Sequence, residues 1–401
     1  MQLADGKSIP SSSATLPVAL LLLVAFASLP GCGNDPIGRM LLIADSGNNR
    51  VLLYEASSPG FAEQPPFSTD QSASVILGQA EATNSTASLT QTGLRTPTAM
   101  AEDSAGNIYV SDLFNNRVLQ FRPPFTTGMS ASLALGQPDF IAAAPSTTQN
   151  GLGAVLLGGP GGLAFDGNGH LWVVDFGNNR VLEYQPPFAT NMNASLVIGQ
   201  GGFTSGAAMA TSTGLNGPHL IAFDPAGDLW VTDTNNNRVL EYQAPFTTGM
   251  AASTVIGQAD FVSRALATSA AGLAFPTGIV FDGAGRLWVA DTENNRVLAF
   301  SPPFSNGMSA SVVLGQVTFT NNTGATTQSG LYFPFGLGLG PDGSLYVADN
   351  GNNRTVVFAP PLSNGETASV VLGQADFTSA TAAVTGTGQD SPFAVTAAWQ
   401  K

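Results

Sequence analysis

The sequence has one cysteine, two histidines and few basic residues, and each shortage excludes a class of protein. A single cysteine, Cys32, cannot build an internal disulfide framework. Two histidines, His170 and His219, cannot supply a zinc site with several imidazole ligands. The 13 basic residues are outnumbered by 27 acidic ones, which gives a net charge of −14. A surface of this sign repels phosphate backbones, so nucleic acid is excluded as a partner.

Charged residues make up only 10% of the chain, whereas glycine occurs 46 times and proline 26 times. Such a composition alone would suggest disorder. However, 43% of the residues are hydrophobic, and regular Val, Leu, Ile and Phe runs can bury enough surface to offset chain entropy. Many short strands joined by many turns, an all-β fold, is therefore the predicted class.

An apolar segment over residues 16–28 has the length of a signal-peptide core and is too short to span a bilayer. It leads into Leu-Pro-Gly-Cys at 29–32, which resembles a bacterial lipobox, in which the cysteine is lipidated. We predict a lipoprotein signal peptide over 1–31, a short tether over 32–39 and one folded domain over 40–401. The resemblance implies export to the bacterial cell envelope as an outer-membrane lipoprotein, with the lipid at Cys32 as its membrane contact. Conventional cleavage and secretion is the alternative.

A repeat dominates the remaining sequence. The string Asn-Asn-Arg occurs six times at intervals of 67, 63, 58, 58 and 58 residues, with an Asp five residues before each Arg. Repeats of this length predict a closed array of like units. The twelve residues are Asp45 and Arg50, Asp112 and Arg117, Asp175 and Arg180, Asp233 and Arg238, Asp291 and Arg296, and Asp349 and Arg354.

One unit predicts four antiparallel strands, over residues 277–281, 287–290, 297–300 and 309–314, with turn residues between them. Four short strands per unit, repeated in tandem, are typical of propeller blades. A large aromatic residue recurs in the second strand, and we expect it to pack between adjacent blades. These aromatic residues are Tyr109, Trp172, Trp230, Trp288 and Tyr346.

The first unit lacks its first strand, and the missing piece occurs at the other end of the chain. Residues 392–396 match residues 97–101, which begin the second unit. We therefore predict a six-bladed β-propeller of four-stranded antiparallel blades, closed by a C-terminal strand that completes blade one. Such closure removes the exposed edge of the first sheet.

The pattern Pro-x-Gly-x-x-Phe-Asp-x-x-Gly-x-Leu-Trp-Val-x-Asp-x-x-Asn-Asn-Arg-Val resembles the NHL repeat. The added Val-Leu-Gly-Gln segment, as at 313–316, is similar to that of bacterial proteins with long NHL repeats. The resemblance implies a propeller, and related propellers include protein-binding and RNA-binding modules as well as lyases and lactonases. A fold used this widely does not specify a function.

The six Asp/Arg pairs suit a structural role. The Asp can accept backbone N–H groups in an Asx turn, and the Arg can pair with an Asp of its own or the next blade. A feature repeated in every blade favours a fold-wide contact over one active site. Six recurring Asp residues nevertheless leave an oxygen-only calcium site open as an alternative.

Loops that lead into the first strands share a face with the Asp/Arg turns and vary between blades. Variable loops on a rigid scaffold commonly carry recognition. We expect a shallow mouth flanked by aromatic residues and suited to sugar rings or an extended peptide, unless these residues only plug the channel. The candidate residues are Arg95, Phe114, Phe176, His219, Phe275, Glu293, Tyr332, Phe333, Phe335, Asp390 and Phe393.

These observations favour an exported binding or assembly scaffold over an enzyme. Its partner would be a protein or a glycan of the cell envelope, and no cofactor is predicted. The alternative is a calcium-dependent enzyme of lactonase or lyase type that uses carboxylates in the channel.

Overall fold

The computed structural model describes residues 40–56, 67–154 and 158–398 of the 401-residue chain. The predicted signal peptide over 1–31, the tether over 32–39 and Cys32 lie outside these residues. Within the described part, each helical segment is a turn of three residues, and none is long and apolar enough to cross a membrane.

Six four-stranded antiparallel sheets form the blades, as predicted. Blade one contains β1 (Met40–Asp45), β2 (Arg50–Glu55) and β3 (Val75–Leu77). Blade two contains β4 (Pro97–Glu102), β5 (Ile108–Asp112), β6 (Arg117–Phe121) and β7 (Leu133–Leu135). Blade three contains β8 (Pro160–Phe165), β9 (Leu171–Asp175), β10 (Arg180–Tyr184) and β11 (Leu196–Ile198).

The remaining blades repeat this arrangement. Blade four contains β12 (Pro218–Phe223), β13 (Leu229–Asp233), β14 (Arg238–Tyr242) and β15 (Thr254–Ile256). Blade five contains β16 (Pro276–Phe281), β17 (Leu287–Asp291), β18 (Arg296–Phe300) and β19 (Val312–Leu314). Blade six contains β20 (Pro334–Leu339), β21 (Leu345–Asp349), β22 (Arg354–Phe358) and β23 (Val370–Leu372), and β24 (Pro392–Ala398) ends the described chain.

The ring closes as predicted, because β24 pairs with β1 and becomes the first strand of blade one. The pairing is antiparallel and places Leu41 opposite Ala397 and Ala44 opposite Ala394. The sheet order β24-β1-β2-β3 therefore gives blade one the same four strands as the other blades. The edge of β1 that would otherwise be exposed is therefore paired.

Neighbouring blades bury the strands on both faces, which explains their nearly continuous apolar runs. All five residues of β9 are buried. The Trp172 ring meets the rings of Phe223 and Phe246 in blade four, with centroid distances of 5.8 and 4.9 Å. The predicted packing of this aromatic position between adjacent blades is confirmed for Trp172. Edge-on contacts of this kind are favourable beyond the area that they bury.

The fourth strand is shorter than predicted, since β19 covers only Val312–Leu314 and not 309–314. The reason lies in the hydrogen bonding of the preceding segment. The Ala310 N–H donates to the Ala270 carbonyl in the loop that leads into the same blade, at 2.7 Å. A residue that bonds to that loop cannot extend the β-ladder with β18.

Glycine lets the first strands of adjacent blades approach closely around the channel. A Cβ added at Gly278 would overlap the Phe335 carbonyl, and one at Gly336 would lie 2.5 Å from the Ala394 Cα. The Pro-x-Gly pattern thus contributes to a narrow ring of first strands. The side chains before these glycines lie at the mouth of that ring.

Candidate functional site

We call the face that carries the Asp/Arg turns the upper face. In blade four, Asp233 Oδ2 accepts the Arg238 Nε–H at 2.7 Å and the Asn236 side-chain N–H at 2.8 Å. Its Oδ1 accepts the backbone N–H of Asn216, at 2.6 Å. Each of the six Asp/Arg pairs joins two residues of the same blade. The N–O distances are 2.6–2.7 Å, and both side chains are inaccessible to solvent.

The remaining donors of each Arg hold the long loops in place. Arg238 Nη2 donates to the carbonyls of Thr211 and Gly214, at 2.8 and 3.2 Å, and Nη1 donates to the Phe261 carbonyl. These carbonyls belong to the loops before and after blade four. The Arg therefore satisfies buried backbone acceptors as well as the carboxylate. This arrangement gives the repeated Asp and Arg a structural role.

Burial shifts the titration of the Asp residues in these pairs. Desolvation raises the pKa of Asp45, Asp112 and Asp291 to about 6, although the paired Arg acts in the opposite direction. The pKa values of the other three are raised for the same reason. A carboxylate in such a place depends on its Arg, because an unpaired charge in the interior is very costly.

The second Asn of each turn connects one blade to the next. Asn237 has φ 54°, and its Oδ1 accepts the Phe275 backbone N–H of blade five at 2.8 Å. Its side-chain N–H donates to the Arg264 carbonyl at 3.0 Å. Five of the six junctions between blades contain the equivalent bond to the carboxamide oxygen. The Asn side chain thus helps to align adjacent blades.

The junction from blade two to blade three differs. Asp175 Oδ1 accepts the backbone N–H of Gly153, which lies 22 residues earlier in the chain. In blades two, four, five and six, the donor lies 17 residues before the equivalent Asp. Among the described residues, Asn116 Oδ1 has no hydrogen-bond partner.

At the centre of the upper face, three rings from different blades meet across the channel. The Phe335 and Phe393 rings are 4.4 Å apart, and the His219 ring lies 6.0 and 5.8 Å from them. Phe176 and Phe275 flank His219, with centroid distances of 5.0 and 6.4 Å. These half-buried rings fill the channel at this level. We call His219, Phe335 and Phe393 the plug.

The plug makes His219 a poor base at neutral pH. Desolvation lowers the pKa of the imidazole to about 4. The ring is therefore neutral in the folded protein under ordinary conditions, and its surroundings are aromatic. At the mouth, the neutral His219 ring packs against its aromatic neighbours.

Around the plug, an exposed rim faces solvent. Tyr332 and Phe333 are 42% and 36% exposed, and their ring centroids are 4.8 Å apart. On blade two the Arg95 guanidinium lies over the ring of Phe114, 5.5 Å from its centroid, and Phe114 is 42% exposed. Glu293 is exposed on the turn of blade five.

The eleven candidate residues thus fall into two groups on one face. The plug and its flanking rings hold five of them, and the rim holds the others. Asp390 is half-buried at the rim, where its N–H donates to Asp45 Oδ1 at 2.7 Å. The channel is closed at its centre while aromatic and charged side chains surround it.

We call the opposite face, which carries the Asp-x-x-Gly turns, the lower face. In blade three, Asp166 Oδ1 accepts the N–H groups of Asn168 and His170, at 2.9 and 3.0 Å. Asp166 Oδ2 accepts the Trp172 indole N–H at 3.1 Å. The turn Asp therefore caps its own turn and anchors the packed indole.

Two groups on the lower face have donor atoms close enough to hold one cation, within 4.8 Å of one another. Glu183 and Glu241 were not identified from the sequence as candidate ligands. Each lies on a third strand opposite a Trp, so its position depends on strand register. The two groups are Asp166, His170 and Glu183 in blade three and Asp224, Asp228 and Glu241 in blade four.

Comparison with protein families identifies NHL repeats at residues 157–184, 215–242 and 273–300, which lie in blades three, four and five. No curated protein sequence matches the chain.

Among solved structures, a protein of unknown function from Bacteroides caccae is 11% identical, with a TM-score of 0.52 over 90% of this chain and 99% of that one. A chain of a nidogen–laminin complex is 16% identical, with a TM-score of 0.49 over 91% of this chain and all of that one. A gluconolactonase from Xanthomonas campestris is 14% identical, with a TM-score of 0.42 over 74% and 81%. At 11% identity the first similarity shows the fold alone.

The three matched repeats share their strand order, turns and buried ion pairs with the other three blades. The repeat sequence, the ring of six sheets and the family match therefore agree. This chain contains NHL repeats in blades three, four and five and folds as a six-bladed β-propeller.

Proposed function

We propose that this protein is a binding module of the bacterial cell envelope whose upper face stacks sugar rings of a glycan on exposed aromatic side chains. The backbone at Phe275 and Phe333 supports this proposal, since φ is 55° and 48° there. A left-handed backbone is strained for a bulky residue. The equivalent positions in three other blades hold Thr96, Gly217 and Ser391. Strained aromatic residues that the fold does not require point to recognition.

The rim presents a preformed aromatic surface. The Tyr332 ring lies against the backbone of Gly324 and Gly351, where an added Cβ would overlap it. Its neighbour Phe333 is held by the bond from its N–H to Asn295 Oδ1, at 2.8 Å. Rings fixed in this way lose little freedom when a ligand binds, which favours affinity.

The closed channel favours a ligand that lies across the face. Within the described residues, the rings of the plug occupy the channel at this level and lie 4.4 to 6.0 Å from one another. Arg95, Glu293 and Asp390 at the rim can exchange hydrogen bonds with the hydroxyl groups of a sugar. A shallow aromatic surface with a few polar groups suits an extended chain such as a glycan.

The same geometry weighs against an enzyme that uses channel carboxylates and calcium. The described side chains at the upper mouth are mostly aromatic, and the two candidate cation groups lie on the lower face. His219, the imidazole at the mouth, has its pKa lowered to about 4 by desolvation. Binding is therefore the function that these residues support best.

The proposed location rests on the N-terminal sequence. The apolar segment over 16–28 and the Leu-Pro-Gly-Cys string predict export and lipidation at Cys32. We expect the parent protein to fractionate with membranes and a Cys32→Ala variant to lose incorporated radiolabelled fatty acid. Equal labelling of both proteins would contradict the anchor without touching the binding proposal.

Glycan binding can be tested with oligosaccharide fragments of peptidoglycan and of lipopolysaccharide core as probes. We expect a Tyr332→Ala, Phe333→Ala variant to bind at least about tenfold more weakly than the parent, because two stacking surfaces are lost. An Ile141→Ala, Val317→Ala variant is the matched control, since these apolar residues are 71% and 83% exposed but lie outside the rim.

Circular dichroism checks that both variants fold. Unchanged binding by the aromatic variant would overturn the role of the rim. Binding of envelope peptides in place of both glycans, with the same dependence on Tyr332 and Phe333, would overturn the glycan and retain the surface.

A further inference from the structure

On the lower face, the fold brings the same three positions together in each of four blades. They are the Asp of the Asp-x-x-Gly turn, the residue four positions later, and a third-strand residue 13 positions after that. In blade two, Asn107 donates to Asp103 Oδ2 at 2.8 Å, and Gln120 occupies the third position. In blade five, Arg286 donates to Asp282 Oδ2 at 2.7 Å, and Ala299 follows. The fold therefore needs neither an imidazole nor a second carboxylate here.

Blade three fills these positions with metal-ligating side chains. His170 Nδ1 lies 2.7 Å from Glu183 Oε1 and 3.3 Å from Asp166 Oδ2. The other oxygen of each carboxylate is engaged by the protein. Asp166 Oδ1 accepts two backbone N–H groups, and Glu183 Oε2 accepts the Ser195 hydroxyl at 2.6 Å. Such outer bonds orient ligands so that the inner atoms converge, and Asp166 Oδ2 also accepts the Trp172 indole N–H at 3.1 Å.

We propose that Asp166, His170 and Glu183 bind a divalent first-row transition-metal ion such as Zn²⁺. In tetrahedral zinc sites with bonds near ~2.0–2.1 Å, ligand atoms are about 3.4 Å apart. The His170–Asp166 distance already matches that edge. Insertion of the ion displaces the proton shared by His170 and Glu183, and their separation of 2.7 Å then opens by about 0.7 Å. One nitrogen and two oxygen ligands form a set that zinc accepts.

The group is accessible from solvent. The His170 side chain is 23% exposed, and the Glu183 side chain is 9% exposed. A pocket of about 710 Å³ opens over both and extends to Ala226 and Pro245 of blade four. Three protein ligands leave at least one position for water or for a donor atom of a small molecule in this pocket.

Blade two supplies the sequence for a variant that removes the ligands and keeps the fold. The double change His170→Asn, Glu183→Gln gives blade three the side chains that blade two already packs at these positions. In blade two, the side-chain oxygen of Gln120, Oε1, accepts the Ser132 hydroxyl at 2.7 Å. This bond parallels the one from the Ser195 hydroxyl to Glu183 Oε2. We therefore expect the variant without metal to melt within a few degrees of the parent.

The experiment is calorimetric titration of the metal-free protein with ZnCl₂ at pH 7.5. We expect the parent to bind zinc, and the double variant to bind it at least about tenfold more weakly, since two of three ligands are lost. An Arg286→Met variant is the matched control, because Arg286 occupies the position of His170 in blade five, where Ala299 stands in place of Glu183. It should bind like the parent.

Cobalt(II) provides a second readout that reports on coordination. The visible d–d bands of four-coordinate Co²⁺ are much stronger than those of the hydrated ion. Strong bands should therefore appear when CoCl₂ is added to the parent, and only the weak bands of the hydrated ion should be seen with the double variant. No heat with zinc in the parent, equal binding by the double variant, or loss of binding in the Arg286→Met variant would each overturn the proposal.

Discussion

The Asp/Arg turns of the upper face and the Asp-x-x-Gly turns of the lower face belong to the same repeats but differ in how much the blades vary. On the upper face each blade carries the Asp and the Arg, and all six ion pairs are fully buried. On the lower face one column changes from Asn107 to His170, Asp228 and Arg286. Positions that the ring requires are the same in every blade, and positions that it does not require are available for chemistry.

The largest effect should come from breaking one upper ion pair. We expect an Arg238→Met variant to lose about 3–5 kcal/mol of the free energy of unfolding, since the Asp233 carboxylate stays buried without its cation. Urea denaturation followed by circular dichroism measures this loss. The control is Arg286→Met on the lower face, where the Arg side chain is 30% exposed, and the expected loss is about 1 kcal/mol or less. Equal losses in both variants would contradict the difference between the faces.

A second test uses pH to isolate the plug. Desolvation lowers the pKa of His219 to about 4, below its ordinary value of 6.5. Protonation therefore favours the unfolded chain, so the stability that His219 contributes is present above pH 6.5 and is lost as pH falls towards 4. We expect the free energy of unfolding of the parent, relative to that of a His219→Phe variant, to fall by about 2 kcal/mol from pH 7 to pH 4.5. This value is below the full effect of the pKa shift because the ring is partly exposed.

Other titrating groups, including the six buried Asp residues, are common to the parent and the His219→Phe variant and cancel in the difference. Denaturation curves at several pH values provide the measurement. A stability difference that does not change with pH would show that the imidazole in the plug is not desolvated.

The smallest expected effect compares two junctions on the upper face. Glycine tolerates the left-handed backbone of the turn, so Asn→Gly removes mainly the side-chain hydrogen bonds. Asn237→Gly breaks two bonds, and we expect a loss of about 2 kcal/mol in unfolding free energy. Asn116→Gly breaks the one side-chain hydrogen bond that the structure describes for Asn116, to the Ala143 carbonyl. We expect it to lower the free energy of unfolding by about 1 kcal/mol. The reverse ranking would refute the role of the Asn in aligning the blades.

The fold could be predicted in detail because the information is repeated six times. Copies of one pattern identified the strands, and the match of residues 392–396 to 97–101 predicted the closure that β24 and β1 show. The fourth strand was predicted too long because residues 309–311 have strand-like composition. The bond from the Ala310 N–H to the Ala270 carbonyl is a tertiary contact that composition does not reveal.

The site could be predicted only in part, for a similar reason. Loop positions suggested that His219, Phe335 and Phe393 share a face, but their contact across the channel depends on how far apart blades four, six and one lie. Glu183 was overlooked because its approach to His170 depends on antiparallel register between β9 and β10. Comparing equivalent positions blade by blade, and not only scanning for conserved strings, would have revealed that column.

The pairing of β24 with β1 sets the order in which the molecule can be completed during synthesis. Blades two to six consist of consecutive residues and can form as they leave the ribosome. Blade one cannot, because its first strand, β24, is made only after blade six. Until then β1 has an unpaired edge open to other chains. Premature termination before Pro392 would therefore produce five complete sheets and a three-stranded blade one in which the edge of β1 is unpaired. Such a product would be prone to aggregation or proteolysis.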